Sequence, residues 1–256
     1  MSRDDITVVT GGASGIGAAC CQLLAARGGK VVVLDRDGDA AKDLAEEIGG
    51  FGCVGDVGVE ASLAEAASRI AKEFGAVTGL VNSAGILQRP VSPEELSMER
   101  YDDVVAVNQR GTYLASRIFA RAMIGYGRGA IVNIASVAGM RSMPLHSYSP
   151  TKAAVISMTA CLAAEWGPSG IRVNAVSPGF TLTPALQAEV DAGRRDLSLA
   201  EGQAALGRLV RPDEIAQAVA FLLSQEASAI TGANLPVDCG WLAGTSWATH
   251  GGVRRA

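Results

Sequence analysis

Short β-branched runs alternate with alanine-rich stretches of helical spacing from the start of this chain, and that alternation leaves few folds open. Residues 6–10, 30–35, 51–55, 79–82, 129–135 and 171–177 read as strands. Residues 15–27, 39–48 and 62–74 carry apolar side chains three and four apart, as do longer stretches over about 99–125 and 147–167 and another at 212–224. Strands that are apolar on both faces belong inside a sheet covered on both sides, and alternation with helices makes that sheet parallel. The expected fold class is therefore α/β, a doubly wound parallel sheet. With no linker, repeat or composition shift, one domain over residues 1–256 is expected.

Two segments stand outside the alternation. Residues 178–211 hold weak helical signals among turn residues, and 180–211 is expected to form a substrate loop, because loops of this length are commonly lids or binding loops. The tail 240–256, with Trp241, Trp247, His250, Arg254 and Arg255, has no period and reads equally as a contact arm or a frayed end.

Composition narrows the partners. A net charge of −4 argues against nucleic acid or an anionic membrane as the main partner. The five cysteines (Cys20, Cys21, Cys53, Cys161, Cys239) include no C-x-x-C pair, so a reducing compartment without a disulfide or zinc framework is expected, and no metal site. Residues 1–5 leave no room for a leader ahead of the first apolar run, and no apolar stretch approaches the roughly 18 residues that span a bilayer. A cytoplasmic protein is expected.

Thr10-Gly11-Gly12-Ala13-Ser14-Gly15-Ile16-Gly17 lies between the first strand and the first helix. Glycines at 11, 15 and 17 allow a tight turn and close backbone approach to a pyrophosphate, which the helix N-terminus attracts. Asp35 ends the second strand, where a carboxylate accepts hydrogen bonds from the adenosine ribose of NAD and repels the extra phosphate of NADP. At about 4 Å that repulsion is roughly 4 kcal/mol. Arg36 softens it without removing it, so NAD is the expected cofactor.

Tyr148 and Lys152 stand four apart, on one face of a helix. A positive charge near a phenol favours the phenolate, which brings a tyrosine toward use as an acid or base. Ser136 ends an apolar strand, so its hydroxyl emerges where ligands bind in such sheets. Two hydroxyls converging on one substrate oxygen stabilise the charge that hydride transfer creates or consumes there.

TGGASGIG at 10–17, Asp56-Val57, NSAG at 82–85, Asn108, Ser136, YSPTK at 148–152 and PGFTLTP at 178–184 appear in this order, and in them the chain resembles the short-chain dehydrogenase/reductase family from Thr10 to about Gly240. The resemblance implies a Rossmann-like sheet of seven strands and assembly into tetramers, or dimers. It implies Tyr148 as general acid/base, Lys152 holding the nicotinamide ribose and lowering the Tyr148 pKa, and Ser136 bonding the substrate oxygen. Asn108 would anchor a water chain. Asp56 and Val57 would flank the adenine, Asn82, Ala84 and Gly85 would line the cofactor floor, and Thr181 and Thr183, after Pro178 and Gly179, would meet the carboxamide.

The expected activity is hydride transfer between NAD(H) and a secondary alcohol or ketone, a polyol, sugar or other hydroxylated small molecule. The alternatives are an NADPH-dependent reductase of 3-oxoacyl thioesters and a nucleotide-sensing protein without catalysis. NSAG stands where NNAG is more usual, and Cys239 where glycine is common in such relatives. Cys239 reads as a buried structural thiol. His146, Arg141, Gln88, Arg194 and Arg195 read as substrate contacts or solvent-facing residues, with solvent favoured for the two lid arginines.

Overall fold

The computed structural model describes residues 6–254. Residues 1–5, expected to be too short for a leader, and Arg255 and Ala256 of the tail lie outside them. Seven strands run parallel in the order β3-β2-β1-β4-β5-β6-β7: β1 (Ile6–Thr10), β2 (Lys30–Asp35), β3 (Phe51–Val54), β4 (Val77–Asn82), β5 (Gly129–Ile134), β6 (Ile171–Pro178) and β7 (Asn234–Val237). The order reverses between β1 and β4, where sheets of this kind open a crevice at the carboxyl ends of their strands.

Both faces are covered, as the two-sided apolar strands require. Val9, Val33, Val81 and Val132 face one helical layer, formed by α1 (Gly15–Ala26), α2 (Gly38–Ile48) and α9 (Pro212–Leu223). Val8, Val32, Leu80 and Ile131 face the other, from α3 (Glu60–Glu73), α5 (Thr112–Tyr126) and α6 (Tyr148–Trp166). Among the described residues no helix is long and apolar enough to cross a membrane.

Three elements depart from the sequence reading. β7 was not among the strands read there, because Pro236 and Asn234 mask a four-residue strand. It is an edge strand, where a proline without an N–H is tolerated. The stretch read as one helix over 99–125 is α4 (Met98–Val104), then a π-helical turn at Val105–Gly111, then α5. The segment 180–211 contains α7 (Pro184–Asp191) and α8 (Ser198–Gln203).

The tail is ordered through its described length. α10 (Trp241–Gly244) is followed by a 3-10 turn at Thr245–His250. Asp238 anchors it, accepting the N–H groups of Gly240 and Leu242, both at 2.8 Å. Trp241 meets Phe180 edge-on at 5.5 Å, and Gly244 lies so close to the Gln203 carbonyl that an added Cβ would sit 2.0 Å from it. The tail is thereby packed onto the end of α8.

Candidate active site

The β1–α1 turn is built by close approach. A Cβ on Gly17 would lie 2.1 Å from the Gly11 carbonyl oxygen, so only glycine closes this turn without moving backbone. Ser14 starts α1 without a side-chain cap, which leaves the first N–H groups of the helix open to an anion. Gly15 faces Thr183, whose methyl lies 3.6 Å from a Cβ built there, and Ile16 packs partly buried against the core. Asp35 points into the same turn: one carboxylate oxygen accepts the Ala13 N–H and the other the Asp37 N–H, each at 3.1 Å. Arg36 beside it is exposed.

The NSAG segment closes the other side. Thr10 Oγ1 accepts the N–H groups of Ser83 and Ala84 at 3.2 and 3.3 Å, and Gly11 presses on Ala84. Asp56 is held in place by the Gly58 N–H, which it accepts at 2.8 Å. Val57 buries its side chain against Gly111, so its backbone is what it can offer a nucleotide. Beyond Pro178, Gly179 packs on Asp238 and Thr181 donates to the Gly179 carbonyl at 3.0 Å. Thr183 caps α7 by accepting the Leu186 N–H. An open helix N-terminus, a fixed carboxylate and glycines that admit no side chain fit a dinucleotide.

Ser136, Tyr148 and Lys152 converge beside this cradle. Ser136 leaves the end of β5, accepts the Ala138 N–H at 3.1 Å, and is hydrogen-bonded to the Tyr148 phenol. The 3-10 turn Val137–Gly139 lies against α6, with a Cβ on Gly139 placed 2.7 Å from Lys152 C and Ala153 N. Lys152 is 5% exposed, donates to the Ile134 carbonyl at 2.8 Å, and sits 5.6 Å from the centre of the Tyr148 ring. Gly85 passes close by, a Cβ there lying 3.7 Å from Lys152 Nζ. Pro150 is accommodated in the first turn of α6, where a missing N–H is harmless.

The phenol of Tyr148 is pushed up from its ordinary pKa by withdrawal from water, and the Ser136 bond opposes that rise. The Lys152 ammonium lies over the ring and donates to the Ile134 carbonyl. Burial draws the Lys152 pKa down to about 8, which leaves it largely charged at neutral pH.

Asn108 sits within the π-helical turn, a feature frequent at functional sites. Its amide grips Ile86 both ways, accepting the Ile86 N–H at 2.8 Å and donating to its carbonyl at 3.0 Å. The Asn82 side chain is 3% exposed and donates to Ser116 Oγ and Asn133 Oδ1 beneath the sheet's end. One placement differs from the sequence reading. Gln88 neither faces water nor lies open to substrate; it is 1% exposed and bonded to Ser147. His146 and Arg141 are exposed, and so are the lid arginines, Arg194 pairing with Glu189. Cys239 is only partly buried and adopts φ +54, the left-handed region that glycine enters freely. The anchoring role of Thr10 was missed, since only tertiary contact reveals it.

A family model described as enoyl-(acyl carrier protein) reductase matches residues 11–242. D-threitol dehydrogenase of Mycolicibacterium smegmatis is 39% identical over 244 residues, spanning 92% of each chain. Galactitol 2-dehydrogenase of Rhizobium johnstonii is 40% identical over 247 residues, spanning 94% of this chain and 95% of its own. Among solved structures, one described as ribose-5-phosphate isomerase from Brucella melitensis 16M superposes with a TM-score of 0.95 at 52% identity, covering 98% of this chain and 97% of that one.

Proposed function

The chain belongs to the short-chain dehydrogenase/reductase family, and from that membership we propose that it oxidises a polyol to the corresponding ketose, reversibly, with NAD as cofactor. The observation that carries this reading is the meeting of Ser136, Tyr148 and Lys152 beside a glycine turn that an Asp35 carboxylate guards. Its relatives' names supply the substrate class, D-threitol and galactitol both being polyols.

The glycine turn with Ser14, Gly15, Ile16 and Gly17, the Asp35 and Asp56 carboxylates, and the backbone of Val57, Ala84 and Gly85 would hold the cofactor, with Thr181 and Thr183 above. When bound, the nicotinamide takes up or returns the hydride. The protein handles the proton and the charge. Ser136 and Tyr148 present two hydroxyls to the substrate oxygen, and Tyr148 takes the hydroxyl proton as the alcohol becomes a ketone, returning it in the reverse direction. Lys152 keeps two donors beyond the one given to Ile134, enough to grip a ribose diol. Because withdrawal from water raises the Tyr148 pKa, the rate of alcohol oxidation is expected to rise with pH.

Tyr113 and Ile124, eleven residues apart and so on one face of α5, are both exposed, which suits assembly with further copies in the cytoplasm. The deciding experiment is NADH absorbance with D-threitol, galactitol and glycerol, each with NAD and NADP, beside Tyr148→Phe. The expectation is turnover with NAD that falls a hundredfold or more in Tyr148→Phe while NADH still binds. Silence across the panel, or an unimpaired variant, overturns the reading. The Brucella melitensis relative's description favours a second reading, aldose–ketose isomerisation, and conversion of ribose 5-phosphate without any cofactor would establish it instead.

A further inference from the structure

Gln88 lies in the loop after β4, outside regular structure, yet it is among the largest fully buried side chains of the described residues. Buried loop amides are costly unless every polar atom finds a partner, and this one does. Its Oε1 accepts both hydrogen atoms that Ser147 can donate, from the N–H at 2.8 Å and from Oγ at 3.1 Å. Its Nε2 donates to the Arg89 carbonyl at 3.1 Å. Ser147 is fully buried and immediately precedes Tyr148. A serine at the start of a helix ordinarily caps it, but Ser147 makes no capping bond, because its hydroxyl is turned to Gln88.

The loop is held at two points. Two residues before Gln88, Asn108 clasps Ile86 in both directions. The same Asn108 amide reaches Thr151 Oγ1 at 3.5 Å, and Thr151 Oγ1 donates to the Tyr148 carbonyl at 2.7 Å. A closed ring of contacts therefore runs from Asn108 through residues 86–88 to Ser147, Tyr148 and Thr151. We propose that Gln88 is a positioning residue that, opposite Asn108, fixes the first turn of α6 and so aims the Tyr148 hydroxyl at Ser136. Asn108 reaches that turn through Thr151 and Ile134 holds it at Lys152, whereas Gln88 bonds Ser147, the residue that leads directly into Tyr148.

This rests on the dehydrogenase reading, and the test separates the two. Gln88→Met keeps length and volume and removes all three bonds; Gln88→Glu, protonated in so buried a place, keeps an acceptor toward Ser147 and a donor toward the Arg89 carbonyl. Each is assayed at 25 °C with NAD and the panel polyol that wild type turns over best, with active sites counted by NADH binding. The expected result is kcat lowered tenfold or more in Gln88→Met, NADH affinity and stoichiometry within twofold of wild type, and recovery of kcat to within fivefold in Gln88→Glu. Faster amide exchange across 145–152 in Gln88→Met accompanies it. A side chain that merely fills space would lower thermal stability and leave kcat per site alone, and that outcome, or a Gln88→Glu no better than Gln88→Met, overturns the assignment. A wild type that oxidises no alcohol sinks the dehydrogenase reading itself, and Gln88's positioning role with it.

Discussion

Gly139→Ala probes how tightly the hydroxyls of Ser136 and Tyr148 are held. The added Cβ would lie 2.7 Å from Lys152 C and Ala153 N and 2.9 Å from Lys152 O, whereas ordinary contact begins near 3.4 Å. These are backbone atoms within the first two turns of α6, so the helix cannot yield as a flexible side chain would. The turn Val137–Gly139 must retreat by about 0.7 Å, the difference between those contacts. Ser136 is joined directly to that turn, so its hydroxyl moves away from the Tyr148 phenol. Misplacing a reacting group by about 1 Å can cost on the order of a hundredfold, so a thirtyfold to hundredfold fall in kcat is expected, about 2–2.7 kcal/mol of barrier. Overpacking should also cost about 1–3 kcal/mol of stability, a Tm loss of several degrees. The assay is steady-state polyol oxidation at 25 °C, with NADH fluorescence titration and thermal unfolding alongside. NADH affinity should hold, because the glycine turn at 11–17 is untouched. A kcat within threefold of wild type would refute the argument that the turn is wedged against α6.

Three further outcomes follow from the geometry. Asp35→Ser should narrow the preference for NAD over NADP, which the roughly thousandfold repulsion estimate sets, by tenfold or more, and equal use of both cofactors by wild type would remove its basis. Glu214 accepts two bonds from Arg208, at 2.7 and 2.8 Å, and the Arg211 N–H at 2.9 Å, which together hold its carboxyl down to about 2. A depressed carboxyl stabilises the fold above its unfolded pKa, so Glu214→Gln should be less stable by about 1–2 kcal/mol at pH 7, a gap that closes as pH falls from about 4.5 toward 2; a gap that widens in acid contradicts the sign. Cys239→Gly should stabilise by about 0.5 kcal/mol, since it relieves left-handed strain in exchange for the thiol's partial packing on the core and a weak contact to the Leu209 carbonyl at 3.7 Å. A lower Tm for that variant would show that the thiol contact outweighs the strain.

Much of the fold is visible in local pattern. β1, β2, β4, β5 and β6 are long, β-branched and buried on both faces, so their period and the intervening helices announce them. β7 is short and carries Pro236, whose meaning depends on lying at a sheet edge that only the assembled fold defines. The π-helical turn escapes notice because one extra residue in a turn scarcely alters apolar spacing over seven residues. In the site, Tyr148, Lys152 and Ser136 are legible because their chemistry recurs at set spacing. The environment of each is not. Whether Tyr148 rises or falls in pKa depends on how much protein surrounds it, and the partner of Gln88 lies 59 residues away. Cys239 looks like any small apolar residue, and its residue type says nothing of the φ it must adopt.

The tail that rests on α8 bears on how specificity can be exchanged among such proteins. Asp238 ties the tail to Gly179 at the root of the 180–211 segment, while Gly244 ties it to Gln203 near that segment's far end. Residues 180–211 and 238–254 are thus two halves of one interlocking part, although the 26 residues 212–237 separate them in sequence. A chimera that transplants 180–211, the expected substrate loop, alone would pair it with a foreign tail whose contacts do not match. Grafted together, the two halves carry their own fit with them.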